Sequence, residues 1–433
     1  MTRVTEPVLA STPQPDAGRS GPRVLFVTPI LRHPAAGGPY LRIENSIKAL
    51  GTVSELYICS RTSRKEMGGV PALRYYRALC RNLTFAPSSA LAGRYVNALR
   101  RRMNSLLRRL VDADFISDSA VDRIDHAAVI RLAKAIRADV IWLGYGNISY
   151  PLLRAIKTAS SIPVVLDTDS VWSRFVIRGL PYAATQAEAE RIAVAGRDKE
   201  EEERWGTRLA DITTAVSDVD AEYYGSLAAR DGQIRIFANV IDLASYQVVP
   251  VPPSGFRRPA LHLAGTFGPH SPMDDAARWM INEVMPLVRN RRPDAHLYIV
   301  GRGSRETLSD VRESNVTIAG ELPSVLPYLC NASVALVPLR YESGTRFKIL
   351  EAGACGIPIV STTLGAEGIP VTNGEDIFIA DDPAGFADAI LHVLDSPECA
   401  ASVAAKMLAL VRRDYALDTL AGQARSILDA VVR

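Results

Sequence analysis

Short apolar runs alternate with helix-length amphipathic stretches along nearly the whole chain, and this alternation constrains the fold more than any other feature. The runs are VLFVTPI from Val24, ADVIWLG from Ala138, IPVVLDT from Ile162, ITTAVS from Ile212, ALHLAGT from Ala260, AHLYIVG from Ala295, VALVPL from Val334 and PIVSTT from Pro358. They are rich in Val and Ile and seldom alternate apolar with polar. That is the pattern of strands buried on both faces of a parallel sheet. Strands alternating with helices imply right-handed βαβ units and doubly wound α/β sheets. In such sheets ligands bind beyond the C-terminal strand ends.

The chain has 433 residues, enough for two or three domains at roughly 100–200 residues each. The stretch VPVPPSGFRR, residues 249–258, holds three prolines and a glycine and reads as a stiff linker. It divides the chain into two Rossmann-like domains, residues 22–248 and 249–414, facing each other across a cleft. Residues 1–21 are rich in Pro, Ser, Thr and Gly and lack the apolar segment of a signal peptide, so they read as a disordered tail. No run approaches the ~18 apolar residues of a transmembrane helix. The five cysteines are far apart, as in a protein of a reducing cytoplasm. Neither they nor the six histidines have metal-ligand spacing, and no metal is expected. A net charge of +3 without a nucleic-acid motif gives no reason to expect a nucleic-acid partner.

The densest chemistry lies between Val334 and Ile369, in VALVPLRYESGTRFKILEAGACGIPIVSTTLGAEGI. A buried strand ends at Leu339, a loop runs from Arg340 to Thr345, an amphipathic helix begins near Arg346, and a second buried strand follows Gly356. Ser343, Gly344 and Thr345 are small enough to let backbone N–H groups approach a ligand. They lie at a helix N-terminus, where the macrodipole favours anions. Arg346 and Lys348 place two cations in the first turn, where they disfavour the helix itself, and this points to a bound anion such as a diphosphate. Glu351, one turn on, can accept hydrogen bonds from sugar or ribose hydroxyls. The plain alternative is a generic βαβ turn with a solvated first helical turn.

The same stretch resembles the donor-site signature of family-4 retaining glycosyltransferases with the GT-B fold, in the bacterial subgroup whose motif reads GSGTR-x-K-x-LEA. The matching positions are Ser343-Gly344-Thr345-Arg346, Lys348, Leu350-Glu351-Ala352, Gly356, Pro358, Ser361-Thr362, Gly365 and Glu367-Gly368. The glycine loop His33-Pro34-Ala35-Ala36-Gly37-Gly38-Pro39, the strand end IPVVLDTDSV, TAVSDVDAEYY, FANVIDLASY and the βα unit from Ala260 also resemble segments of that family. The resemblance implies an N-terminal acceptor domain, a C-terminal donor domain, and a last helix around residues 415–433 that crosses back to the first domain. It implies a nucleotide diphosphate sugar as donor co-substrate, retention of anomeric configuration, and no metal or other cofactor. It casts Arg346, Lys348 and Asp169 as catalytic residues. Gly37, Gly38, Gly265, Thr266, Gly301, Glu342, Ser343, Gly344, Thr345 and Glu351 become donor-binding candidates.

The chain departs from the family in three places. Ser343 stands eight residues before Glu351, where many relatives have a glutamate, and Glu342 is one position out of register. Thr168 replaces a common His, leaving Asp169 either to contact the reacting sugar or to cap the following helix. No Arg follows Gly265-Thr266 until Arg278, so the diphosphate would depend on Arg346 and Lys348. Gly301-Arg302-Gly303 is only a fragment of a dinucleotide fingerprint and reads as a strand-to-helix turn.

Residues 67–111 contain nine arginines and no acid. Segment 74–109 reads as a basic amphipathic helix, which suits either an anionic membrane surface or a solvated face over a leucine stripe. KEEEER from Lys199 reads as a solvated helix face. The acceptor expected from all this is a glycan, a lipid-linked sugar or a small molecule, met in the cytoplasm or at the inner membrane face. A sugar-nucleotide epimerase or phosphorylase, or a non-catalytic partner subunit of the same fold, are the other readings.

Overall fold

The computed structural model describes residues 21–35, 37–85 and 126–432. Two parallel sheets form in chain order. The first holds β1 (Arg23–Thr28), β2 (Glu55–Ser60), β3 (Asn82–Phe85), β4 (Val140–Gly144), β5 (Val164–Asp167), β6 (Ile212–Ala215) and β7 (Ile234–Ile236), in the spatial order β3-β2-β1-β4-β5-β6-β7. The second holds β8 (Ala260–Ala264), β9 (His296–Val300), β10 (Val316–Gly320), β11 (Val334–Val337), β12 (Ile359–Ser361) and β13 (Phe378–Ile379), ordered β10-β9-β8-β11-β12-β13. Both orders double back from the first strand, and helices cover both faces. This is the GT-B architecture.

All eight apolar runs read from the sequence are strands, and the packing shows why they do not alternate. In β1, Val24 and Phe26 join the core on one face, while Leu25 and Val27 join the core on the other. Trp142 and Ile141 of β4 divide in the same way. Each such fully buried side chain stabilises the fold by ~1.5–3 kcal/mol, so both faces must be apolar.

Two stretches cross between the domains. Val248, Val249 and Val251 lie exposed on the first, within the Pro-rich segment ahead of β8. The second follows Asp414, and the two crossings touch: the Ile241 N–H donates to the Tyr415 carbonyl at 3.0 Å, and Ile241 bridges to Ala416. The helix Leu417–Val431 then packs on the helix Gly38–Val53. Its Leu420, Ala424, Ile427 and Leu428 enter the first domain's core beside Ile43, Ile47 and Leu50.

The KEEEER run lies on the helix Gln186–Leu209, but it is not a uniformly solvated face. Glu203 is fully buried and accepts hydrogen bonds from Ser173 Oγ (2.5 Å), Ser173 N (3.1 Å) and Tyr223 OH (2.6 Å). The sequence gives no sign of the Ser and Tyr partners that make this burial possible. Of segment 74–109, only residues 74–85 are among those described; Arg74 and Arg77 point outward from the helix Gly69–Leu79, whose Ala72, Leu73 and Tyr76 are buried. No helix of the described residues is long and apolar enough to cross a membrane.

Candidate functional site

The C-terminal strand ends of the two sheets face each other, and the loops after β1, β5, β8, β9 and β11 meet there. The β11 loop leads into the helix Phe347–Ala354, with Arg346 at its cap in extended conformation. Gly344 has φ +77° and lies against the first domain so closely that a Cβ would come 2.7 Å from Ser170 Cβ and 2.8 Å from the Asp169 carbonyl. Both the left-handed backbone and the contact require glycine. Gly38 faces the ring of Phe347 at the start of the same helix, while Gly37, with φ +86°, borders open space. Behind the helix, Gly301 (φ +141°) lets the β9 loop touch the β8 loop: a Cβ on it would sit 1.8 Å from the Gly265 carbonyl oxygen. Thr266 is exposed beside them.

Carboxylates act on the cations of this loop through space, Glu342, Glu367 and Asp220 on Arg346 and Glu342 and Glu351 on Lys348, but none pairs with them directly among the described residues. Arg346 is 5% exposed; its Nη2 donates to the Leu364 carbonyl at 3.0 Å, and its Nε and Nη1 have no partner among the described residues. Burial lowers its pKa. Lys348 Nζ lies 3.0 Å from the thioether of Met273, and burial pulls its pKa down to about 8. Lys348, Glu351 and His262 line one small cavity of about 20 Å³. Burial raises the Glu351 carboxyl pKa, opposed by the hydrogen bond it accepts from Tyr246 OH at 3.0 Å. His262 is held down at about 4 by burial, with Lys348 adding to the effect, so its ring is neutral. The Ser343 hydroxyl is buried without a partner among the described residues, and Glu342 turns back to accept the Ser343 N–H at 3.2 Å.

On the facing side, Asp169 does not cap the following helix, which begins at Trp172 without any side-chain cap. Its carboxylate accepts the Trp172 indole N–H at 3.2 Å, and its own N–H donates to Asn147 Oδ1 at 2.9 Å. Burial pushes the carboxyl up to about 6, with the charge of Arg42 opposing. Thr168 faces inward, its hydroxyl donating to the Thr214 carbonyl at 2.6 Å.

Sequence reasoning missed the residues that join the domains here. Arg178 makes a bidentate pair with Glu367, at 2.6 and 2.8 Å, and donates to the Glu342 carbonyl at 2.7 Å. Tyr182 stacks on Tyr341, with ring centroids 4.6 Å apart, and Asn239 bonds to Thr345. Asn239, Tyr341, Glu342, Thr345 and Glu367 lay in stretches the sequence had singled out, but their cross-domain partners Arg178 and Tyr182 did not. Among the described residues no group of three or more His, Cys, Asp or Glu could hold a metal ion.

Residues 261–396 match the family model described as "Glycosyl transferases group 1". The chain is 28% identical over 165 residues to the GDP-mannose-dependent monoacylated alpha-(1-6)-phosphatidylinositol monomannoside mannosyltransferase of Corynebacterium glutamicum, covering 35% of this chain and 43% of that protein. It is 29% identical over 217 residues to the glycogen synthase of Mycobacterium tuberculosis, covering 46% and 49%. The chain thus spans less than half the length of these curated relatives. Similar solved structures are Anabaena Alr3699/HepE in complex with UDP-glucose (TM-score 0.62, 13% identity, covering 94% and 99%) and sucrose-phosphate synthase from Thermosynechococcus elongatus (TM-score 0.67, 16% identity, covering 94% and 98%). The second domain therefore carries a group 1 glycosyl transferase region within a GT-B fold.

Proposed function

We propose that this chain is a retaining glycosyltransferase that takes a nucleoside diphosphate sugar at the start of the helix Phe347–Ala354. The observation that carries the reading is Arg346, a guanidinium 5% exposed with one acceptor and two unpartnered nitrogens. A buried donor left without a partner costs ~1–3 kcal/mol, and more on a charged group, and a polyanion beside Lys348 and the loop N–H groups offsets that cost. The curated relatives and structural neighbours named for nucleotide sugars support a diphosphate as that anion.

In the transfer, the bond between the sugar's anomeric carbon and the diphosphate oxygen breaks. The acceptor oxygen bonds to the same carbon, and its proton passes to the departing phosphate. Arg346, Lys348 and the Gly344 and Thr345 N–H groups stabilise the charge growing on the leaving group, a preorganised electrostatic contribution. Glu351 holds ribose or sugar hydroxyls. Asp169 faces the reacting sugar from the first domain. Closure of the cleft keeps water from the donor. The acceptor is a glycan, a lipid-linked sugar or a small molecule, met at the cytoplasmic membrane face if the basic segment 74–109 binds anionic lipid.

The test is a calorimetric panel of nucleoside diphosphates and their sugars. Binding of one base in the micromolar range, with its sugar transferred to an acceptor, supports the reading. Absence of binding by any of them defeats it. Steady release of free nucleoside diphosphate with no acceptor present would favour an epimerase instead.

Affinity will also depend on pH. The anion favours the charged form of Lys348, whose free-state pKa is about 8. Binding should hold steady to about pH 7.5 and then weaken by up to about tenfold per pH unit. Stability of the unliganded protein runs the other way. Between about 8 and the ordinary 10.5 the unfolded chain binds the extra proton, so this group makes the fold more stable as pH rises. An affinity unchanged from pH 7 to 9.5 would remove Lys348 from the site.

A further inference from the structure

Thr345, in the loop ahead of the donor helix, is 6% exposed, and its hydroxyl oxygen accepts a 2.9 Å hydrogen bond from Asn239 Nδ2. Asn239 belongs to the other side of the cleft, between β7 and the crossing at Ile241, and is 3% exposed. Its Oδ1 accepts from Arg42 Nη1 at 2.8 Å. Arg42, on the helix Gly38–Val53, donates through Nη2 to the Phe237 carbonyl at 3.1 Å and to the Asp167 carboxylate. Its guanidinium lies over the Phe237 ring, 5.4 Å from the centroid. Asp167, at the end of β5, is in turn held by Trp142 Nε1 (3.1 Å) and Thr214 Oγ1 (3.0 Å). A continuous line of buried hydrogen bonds therefore runs from the first domain's sheet, through its first helix, into the loop of the second domain.

The side-chain types suit that line. A primary amide accepts at one end and donates at the other. Asn239 can take a hydrogen bond from a cation and pass one to a hydroxyl; Ala or Leu could do neither. Arginine supplies donors in a fixed fork and reaches three acceptors at once. Buried polar networks of this kind single out one arrangement, because any other leaves polar atoms without partners at a cost of ~1–3 kcal/mol each. Among the described residues, only Arg42 Nε in this line has no partner.

We propose that Arg42 and Asn239 are positioning residues that fix the conformation of the loop Ser343–Arg346 by anchoring Thr345 to the sheet of the first domain. They act through Thr345, without having to touch the anion themselves. The inference rests on the nucleotide reading above and adds to it the parts that set the loop's shape. Gly344 and Ser343 do not fix that shape by side-chain bonds: Gly344 has no side chain to hold its φ of +77°, and Ser343 Oγ has no partner among the described residues.

Arg42→Met would leave Asp167 buried without its cation, so the test uses Asn239 and Thr345 instead. Affinity for UDP, GDP and ADP is measured by calorimetry, with the melting temperature as a fold control, on Asn239→Ala, Thr345→Val, Thr345→Ser and the double variant Asn239→Ala/Thr345→Val. For the nucleotide that wild type binds, each of the first two should lose about tenfold in affinity. Thr345→Ser, which keeps the hydroxyl, should stay within about twofold, and the double variant should be no weaker than Asn239→Ala, which alone already removes both hydrogen bonds from Asn239 to Thr345, at 2.9 Å to its hydroxyl and 3.4 Å to its carbonyl. Additive losses of about a hundredfold, or folded single variants with wild-type affinity, overturn the proposal while leaving the nucleotide reading intact. A wild type that binds none of the three overturns both.

Discussion

Replacing Arg346 and Lys348 together with methionine will remove nucleoside diphosphate binding and leave the unliganded protein at least as stable as wild type. The two effects have opposite signs because the same side chains face opposite demands with and without an anion. Hydrogen bonds to charged groups are worth ~1.5–3 kcal/mol each. Losing one from each cation weakens affinity by about 100- to 10,000-fold. Without the anion, Arg346 keeps a single acceptor for its buried guanidinium, and Lys348 meets a sulfur atom. Methionine conserves much of the volume and removes the desolvated charge, a change that is often neutral or stabilising. Calorimetry reports the first effect and thermal unfolding the second. A variant that melts well below wild type and still binds nucleotide would make Arg346 a structural residue and remove the basis for the donor site.

Arg42→Met should show the reverse: severe loss of stability. Arg42 is 2% exposed and Asp167 is not exposed at all, so their ion pair lies within the sheet's own core. Removing the cation leaves a carboxylate with only Trp142 and Thr214 as side-chain donors among the described residues. Breaking a buried pair from one side costs ~3–5 kcal/mol, a large share of the stability of an ordinary domain. Neutralising both ends treats the groups differently: Arg42→Met/Asp167→Asn should recover much of the loss, because no charge is then stranded. Denaturant unfolding followed through the fluorescence of Trp142, fully buried in the same sheet, reads the difference. If the double variant is no better than the single one, the damage comes from lost packing of the arginine stem over Phe237 and not from charge.

Among the described residues, the sequence disclosed eight of the nine interior strands and none of the four edges, for a physical reason; the interior strand missed, β2, begins with Glu55 and leaves Tyr57 half-buried, so it has no continuous apolar run. β1, β4, β5, β6, β8, β9, β11 and β12 are flanked on both sides by strands and covered on both faces, so their residues are apolar without alternation. β3, β7, β10 and β13 are edges. There, Asn82 is exposed, and all three residues of β7 are only partly buried. Nothing in such composition distinguishes an edge strand from a loop. The candidate site was legible to the same degree. Ser343 to Glu351 are contiguous, and their small residues, cations and helix start can be read from spacing alone. Arg42, Arg178 and the pair Asn239 and Tyr246 come from three separate places in the chain, all distant from that stretch. An arginine at a buried position of an amphipathic helix looks, in sequence, like any solvated one; only the approach of Asp167, 125 residues away, gives it a partner. Glu203 failed the sequence reading for the same cause, since the Ser173 and Tyr223 that receive it lie on other helices.

The paired crossings at Ile241 and Tyr415 carry a mechanical consequence. Two covalent passages stitched by a backbone hydrogen bond form a short ribbon, and a ribbon admits bending more readily than sliding or swivelling. An opening of the cleft is therefore expected to turn about that line, like a book on its spine, with displacement growing with distance from it. Asn239 sits two residues from that line, so the Thr345 loop lies near the spine and would keep its registration if the outer margin, fastened here by Arg178 and Glu367, came apart. On that geometry, a ligand could enter the cleft without the Ser343–Arg346 loop being rebuilt.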